Sequence, residues 1–196
     1  MKFLIFVLAL FSFTACGPKA FKDGTYDDPN RVELLDDKFN EADMQQMAET
    51  IVDAILKCPV IVEAKGRPSV AVSKVVNRTE EYPDLDALTE MIRSNLTKSR
   101  KVRFVDRGAR EEIDSEHDYN ESGRVAKDAA PKRGKQKGVE YLLSGALATN
   151  VQQVGKDKLI YYKLNMKLTN LEENVIECEE EKEIRKKYQK KSVGLF

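Results

Sequence analysis

From residue 158 to 171 apolar and polar side chains alternate. Ile160, Tyr162, Leu164, Met166 and Leu168 fall on one side of an extended chain, and Tyr161, Lys163, Asn165 and Lys167 on the other. A period of two predicts a strand with one buried face. Glu172–Glu173–Asn174 turns the chain, and Val175–Ile184 returns as the hairpin partner. Val139–Thr149 is a preceding strand, whose continuous apolar run predicts cover on both faces. Residues 186–196 are lysine-rich and read as a frayed tail.

Earlier the period is helical. Over residues 40–57, Met44, Met47, Ile51 and Ile55 recur at helical spacing with Ala48 and Ala54 alongside. Asn40 fits the N-cap, Asp43 lies in the first turn, and Cys58–Pro59 ends the helix. The methionine stripe reads as core packing. A second helix runs from Asp84 or Asp86 to about Ser99, burying Leu85, Leu88, Ile92 and Leu96. Between these helices SVAVSKVV, residues 69–76, is rich in β-branched side chains and reads as a strand. Asn77–Arg78–Thr79 and EEYPD then form a turn. KVRFVD, residues 101–106, is a short second strand. Residues 107–119 form a charged helix, followed by a helix candidate over 122–137 with Pro131 inside it. Helical crossovers call for parallel pairing early, and the final hairpins for antiparallel pairing. The expected fold class is α/β (α+β): a mixed sheet of four or five strands with flanking helices.

The start of the chain adds a location. Met1–Lys2 precede the apolar run FLIFVLALFSF and then Thr14, Ala15 and Cys16. This is the pattern of a secretory signal, too short for a transmembrane helix, which needs roughly 20 apolar residues. A cysteine directly after small residues matches the bacterial lipobox, so Cys16 is the expected lipid attachment site and residues 1–15 the leader. Residues 16–37 read as a lipidated tether, 38–188 as one globular domain and 189–196 as a basic tail. The expected location is the cell envelope. The absence of an aspartate beside Cys16 favours an outer-membrane anchor, with the domain facing the periplasm.

Charge narrows the partners. The chain carries 33 basic and 33 acidic side chains, which argues against nucleic acid. Besides Cys16 it has Cys58 and Cys178. An envelope location permits a disulfide between them. Two buried thiols acting as small hydrophobes is the favoured reading.

No catalytic set or cofactor site stands out. His117 is the one histidine and lies in the acidic stretch SEHDY. Asp114, Glu116 and Asp118 lack the spaced ligands and the glycine of a calcium loop, and read as a solvated face. No phosphate-cradling loop and no metal site are expected. The basic residues Lys127, Lys132, Arg133, Lys135 and Lys137 read as solvated, as do Lys186, Lys187, Lys190 and Lys191. Asn77–Arg78–Thr79 matches a glycosylation sequon, which carries little weight beside a bacterial lipobox.

The ordered segments VAVSKVVNRT, LDALTEMIRSNLTKSRKVRFVDR, GVEYLLSGAL and YYKLNMKLTNLEENVIECEEEKEIRK together resemble the LpoB-type lipoproteins. The resemblance covers roughly residues 69–186 and the lipobox. It implies a domain like the N-terminal domain of TolB. It also implies a non-enzymatic outer-membrane activator of a bifunctional class A penicillin-binding protein, docking on that synthase's regulatory domain. Such a protein serves peptidoglycan synthesis, cell-wall biogenesis and cell shape. Asn77, Arg78 and Thr79 match a polar family motif and are the candidate partner-binding residues. The domain is expected to be monomeric. Two departures stand out: the tether is short where better-known members have a long proline-rich one, and Cys178 replaces a frequent aromatic on the last strand. The alternative is an assembly lipoprotein with a CsgG-like domain, which would need long alternating strands suited to a barrel.

Overall fold

The computed structural model describes residues 24–29, 31–34 and 36–190. The leader and Cys16 lie outside the described residues. Met1–Arg31 and Val32–Phe196 form two separate units. In the first, Arg31 pairs with Asp27 at 3.5 Å. The second holds every helix and strand of the described residues.

Its elements run α1 (Glu41–Leu56), α2 (Pro59–Val62), β1 (Ser69–Val72), β2 (Val76–Arg78), α3 (Leu85–Lys98), β3 (Arg103–Phe104), α4 (Arg110–Glu121), β4 (Tyr141–Val154), β5 (Asp157–Asn170) and β6 (Ile176–Gln189). The sheet is mixed and has six strands in the order β3-β1-β4-β5-β6, with β2 also on β4. β1 lies parallel to β3 and β4, β2 parallel to β4, and β4, β5 and β6 are antiparallel. The sixth strand arises because SVAVSKVV breaks after Val72. The Ser73 N–H donates to the Leu143 carbonyl at 2.8 Å, and the chain rejoins β4 three residues further on, at Ala146.

Caps set both long helices. The Asn40 side chain accepts the Asp43 N–H at 3.1 Å, and the Asp43 carboxylate accepts the Asn40 N–H at 2.9 Å, a reciprocal capping box. Asp84 caps α3 by accepting the Ala87 N–H at 2.9 Å. Met47, Ile51 and Ile55 of α1, with Leu88, Ile92 and Leu96 of α3, bury themselves on one face of the sheet. That face is built from Leu143 and Leu147 of β4, and from Ile160, Tyr162, Leu164, Met166 and Leu168 of β5. A Cβ at Gly145 would collide with the Asn165 carbonyl and the Met166 sulfur, so only glycine lets β4 run this close to β5.

Five expectations change. The turn does not begin at Asn77: Asn77 and Arg78 belong to β2, paired with Leu147 and Ala148, and the chain leaves the sheet at Thr79. The outer face of β4 is not covered: Ser144, Ala146 and Ala148 are half-exposed, because both long helices pack on the other side. The stretch 122–137 is not a helix; it is turns, broken by Pro131 and by Gly123 and Gly134 at positive φ. Cys58 and Cys178 are not free thiols but a disulfide, with Cα atoms 6.1 Å apart. Residues 186–189 do not fray: β6 continues to Gln189, and Lys186 is buried.

Lys186 is buried because it is paired. Its ammonium lies 2.5 Å from the Asp43 carboxylate, and both side chains are only 3% exposed. It also donates to the Lys38 carbonyl at 2.8 Å and sits 5.5 Å from the centre of the Tyr162 ring. The segment ahead of α1 is tied down beside it. Lys158 pairs with Asp37, the Tyr188 hydroxyl donates to the Asp36 carbonyl, and Phe39 packs edge-on against Tyr162. Tyr162 donates to Glu81 at 2.6 Å, and the same carboxylate accepts the Phe39 N–H at 2.9 Å. Burial, then the Glu81 hydrogen bond, pushes the Tyr162 hydroxyl far above its ordinary value.

The buried pair, the disulfide and Tyr162 each make a measurable contribution to stability. Lys186→Met will cost about 3–5 kcal/mol in urea unfolding by stranding the Asp43 carboxylate. Adding Asp43→Asn, which keeps an acceptor for the cap, will restore part of that loss; no recovery would show that the two groups are uncoupled. Replacing Cys58 and Cys178 together by Ala will cost about 2–5 kcal/mol, read in the same way. The raised Tyr162 hydroxyl contributes stability that is full below about pH 10 and is lost as pH rises toward its folded-state value. Absorbance at 295 nm will show one tyrosine ionising only as the chain unfolds, and Tyr162→Phe will delete that step.

Candidate docking face

Alternation on β5 and β6 sends one set of side chains into the core and the other to the outer face of the sheet. The outer set on β5 includes Tyr161, Lys163, Asn165 and Lys167. Opposite them on β4 stand Asn150, Ala148, Ala146 and Ser144, and on β6 Arg185, Glu183, Glu181 and Glu179. β4 thus contributes small residues between flanking long ones. The result is a shallow concavity of about 520 Å³, floored by Ser144, Gly145, Ala146 and Ala148. Lys74, Arg78, Lys163 and Lys167 line it, with Glu179 and Ile176 toward β6.

The charges in it are unequally committed. Lys163 donates to Glu181 at 2.8 Å. That bond holds Glu181 below the ordinary carboxylate range and raises Lys163. The Asn165 amide donates to Glu179 at 2.8 Å. Lys74 lies 3.4 Å from Asp86, both largely exposed. Arg78 and Lys167 have no ion pair among the described residues. The concavity therefore offers two uncommitted cations over a small-residue floor, which suits an acidic protein surface.

The structure separates the three candidate residues. Arg78 faces the concavity, because its β2 partner is Ala148 on the outer face of β4. Asn77 is paired with the buried Leu147 and turns the other way along β2. Its side chain accepts from the Thr79 N–H and hydroxyl, each at 2.8 Å, and donates to the Glu81 carbonyl at 2.8 Å. The Thr79 hydroxyl in turn accepts the Glu81 N–H at 3.1 Å. Asn77 and Thr79 thus build the turn that aims Glu81 at Tyr162 and Phe39. Strand alternation from Val76 is the signal that would have singled out Arg78. Lys163 and Lys167 were visible as the polar half of the β5 alternation, and only the sheet order brings Arg78 beside them.

The other chemical candidates lie elsewhere. His117 sits on α4, none of whose residues is buried, beside Pro131. Asp118 pairs with Arg133, which also holds Glu121 at 2.9 Å. Among the described residues no group of three His, Cys, Asp or Glu could hold a metal ion. No helix among them is long and apolar enough to cross a membrane.

The chain is similar to several solved structures. The solved LpoB C-terminal domain of Salmonella enterica is 16% identical, with 72% of this chain and 98% of that one covered and a TM-score of 0.47. For the LpoB C-terminal domain of Escherichia coli the values are 18%, 72%, 98% and 0.44. For the NMR structure of Escherichia coli LpoB they are 16%, 90%, 87% and 0.43. No curated protein sequence matches the chain. The family described as "Peptidoglycan-synthase activator LpoB" matches residues 43–184, from the capping box of α1 to the middle of β6. That span holds both long helices, the outer concavity and nearly all of the sheet, and with it this chain belongs to the LpoB family.

Proposed function

We propose that this chain is a non-enzymatic, lipid-anchored regulator that binds a bifunctional class A penicillin-binding protein and stimulates its glycan polymerisation and crosslinking. The observation that carries this reading is the family match over residues 43–184. The leader pattern and Cys16 support an anchor in the outer membrane, with the domain on the periplasmic side. The docking surface in this proposal is the outer face of the sheet. Arg78 and Lys167 meet acidic groups on the regulatory domain of the synthase, and Asn77 and Thr79 hold the turn beside them.

Such an interface is of the electrostatic, exchanging kind. Exposed cations steer the encounter and set specificity, and their effect falls with salt. The helices and the disulfide keep the sheet in one shape, so a docked partner meets a rigid surface.

The test is activation of a purified class A synthase from the same host by the chain from residue 36 onward. Stimulation should weaken as salt is raised. The double substitution Arg78→Glu with Lys167→Glu should raise the half-activating concentration at least about tenfold. Glu111→Lys, on the exposed α4, should leave it unchanged. No stimulation by the unaltered chain sinks the activator reading. Stimulation indifferent to the double reversal moves docking off this face.

A further inference from the structure

The outer face of the sheet continues past the concavity. Toward the β4–β5 hairpin lies a smaller trough of about 350 Å³, lined by Asn150, Gln152, Leu159, Tyr161, Glu183 and Arg185. The register sets its plan. β5 is the middle strand, and Leu159 and Tyr161 lie along it, both half-buried. Gln152 and Asn150 stand opposite them on β4, and Glu183 and Arg185 rise on the other side from β6. Strand alternation puts this set on the outer face, since Ile160 and Tyr162 turn inward.

The trough has an apolar centre between two polar rims. The Asn150 and Gln152 side chains have no hydrogen bond among the described residues, so each amide keeps both a donor and an acceptor to offer. Arg185 has no ion pair among those residues either. Glu183 accepts from the Tyr161 hydroxyl and raises it above its ordinary value, so that hydroxyl stays protonated at neutral pH. One acid and one base leave the trough without excess charge, unlike the concavity beside it.

These traits select a class of ligand. An anion would be drawn to the concavity instead, and two half-buried side chains are a small anchor for a protein. A sugar ring matches better, because it has an apolar C–H surface and an edge of hydroxyl and acetamido groups. An aromatic side chain supplies apolar surface while its hydroxyl remains bonded. Free amides can donate to and accept from the sugar's own polar groups. Leu159 and Tyr161 are two residues apart on an extended strand, roughly 7 Å, so the apolar centre is elongated along β5.

We infer that this trough is a glycan subsite: it takes an uncharged, N-acetylated hexosamine chain along β5, with ring surfaces on Leu159 and Tyr161 and polar groups on Asn150, Gln152, Glu183 and Arg185. That the natural glycan is the strand made by the partner synthase rests on the activator reading; the binding itself does not. Ala148 and Lys163 of the concavity are the next outward positions along β4 and β5. One face can therefore hold the synthase and touch its product.

Titration of the full chain, held in a sugar-free detergent, with chitotetraose tests it, read from backbone amide NMR shifts. Chitotetraose carries neither peptide nor charge and should bind in the millimolar range. Cellotetraose has the same linkage without acetamido groups and should bind at least about tenfold more weakly. Tyr161→Ala should weaken chitotetraose binding by about tenfold, and Tyr161→Phe should retain most of it. The double substitution Arg78→Glu with Lys167→Glu should leave it unchanged. Circular dichroism should show each variant folded. No response to chitotetraose overturns the proposal, whatever the chain does to a synthase. If Tyr161→Ala then also raises the half-activating concentration, the trough belongs to protein docking. Sugar binding indifferent to Tyr161→Ala overturns the placement in this trough, and equal binding of the two sugars overturns the acetamido contacts. A chain that binds chitotetraose and stimulates no class A synthase supports the subsite and fails the activator reading alone.

Discussion

The Asp43–Lys186 pair is the constraint on which the arrangement turns. Taking two charges out of water is costly, and the pair persists because each group has further partners. Asp43 also accepts the Asn40 N–H of the cap, and Lys186 also donates to Lys38 and lies by the Tyr162 ring. One carboxylate therefore starts α1 and fastens it to β6. At its other end α1 runs into Cys58, whose disulfide reaches Cys178 near the start of β6. Helix and edge strand are joined at both ends and lie antiparallel. With α1 fixed, α3 packs beside it, and the inner face of the sheet is closed.

Closing one face decides what the other can do. Both long helices are used on the inner side, and α4 buries none of its residues. The outer face is left to β2, β4, β5 and β6. β4 contributes small side chains there, and Gly145 brings it close against β5. The cations of β2 and β5 then stand around a hollow rather than on a flat sheet. The basic stretch after α4 takes no part in this surface. Arg133 turns back onto Asp118 and Glu121, so that part of the loop is neutralised by its own helix.

Local periodicity made much of this legible. The helical spacing of Met47, Ile51 and Ile55 and the alternation from Ile160 to Leu168 reflect single elements meeting a single core, and both were readable residue by residue. The parallel-then-antiparallel pairing came from the connections. What escaped depends on contacts distant in sequence. Lys186 looks like any lysine in a basic run until Asp43 is known to face it. The Cys58–Cys178 bond needs the antiparallel lie of α1 on β6. The apolar run Val139–Thr149 predicts cover on both faces because alanine and glycine count as apolar, although here they leave a hollow. Asn77–Arg78–Thr79 reads as one motif in the sequence, yet strand alternation divides it. Two members build a turn, and Arg78 alone faces the concavity.

The equal numbers of acids and bases conceal this organisation. Overall neutrality excludes a strong long-range pull on a polyanion, but it says nothing of fields within a Debye length of the surface, about 8–10 Å. Here the signs are sorted at that scale. Cations gather around the hollow, acids precede bases along β6, and Asp118 and Glu121 of α4 are met by Arg133. Sorting of this kind supports selective contacts with weak nonspecific ones, because a partner must match a local pattern rather than a total charge. A domain that works among other envelope proteins gains more from that selectivity than from a large net charge. The buried pair makes the sorting durable: by fixing which face of β6 turns inward, Asp43 and Lys186 also fix which of its charges remain outside.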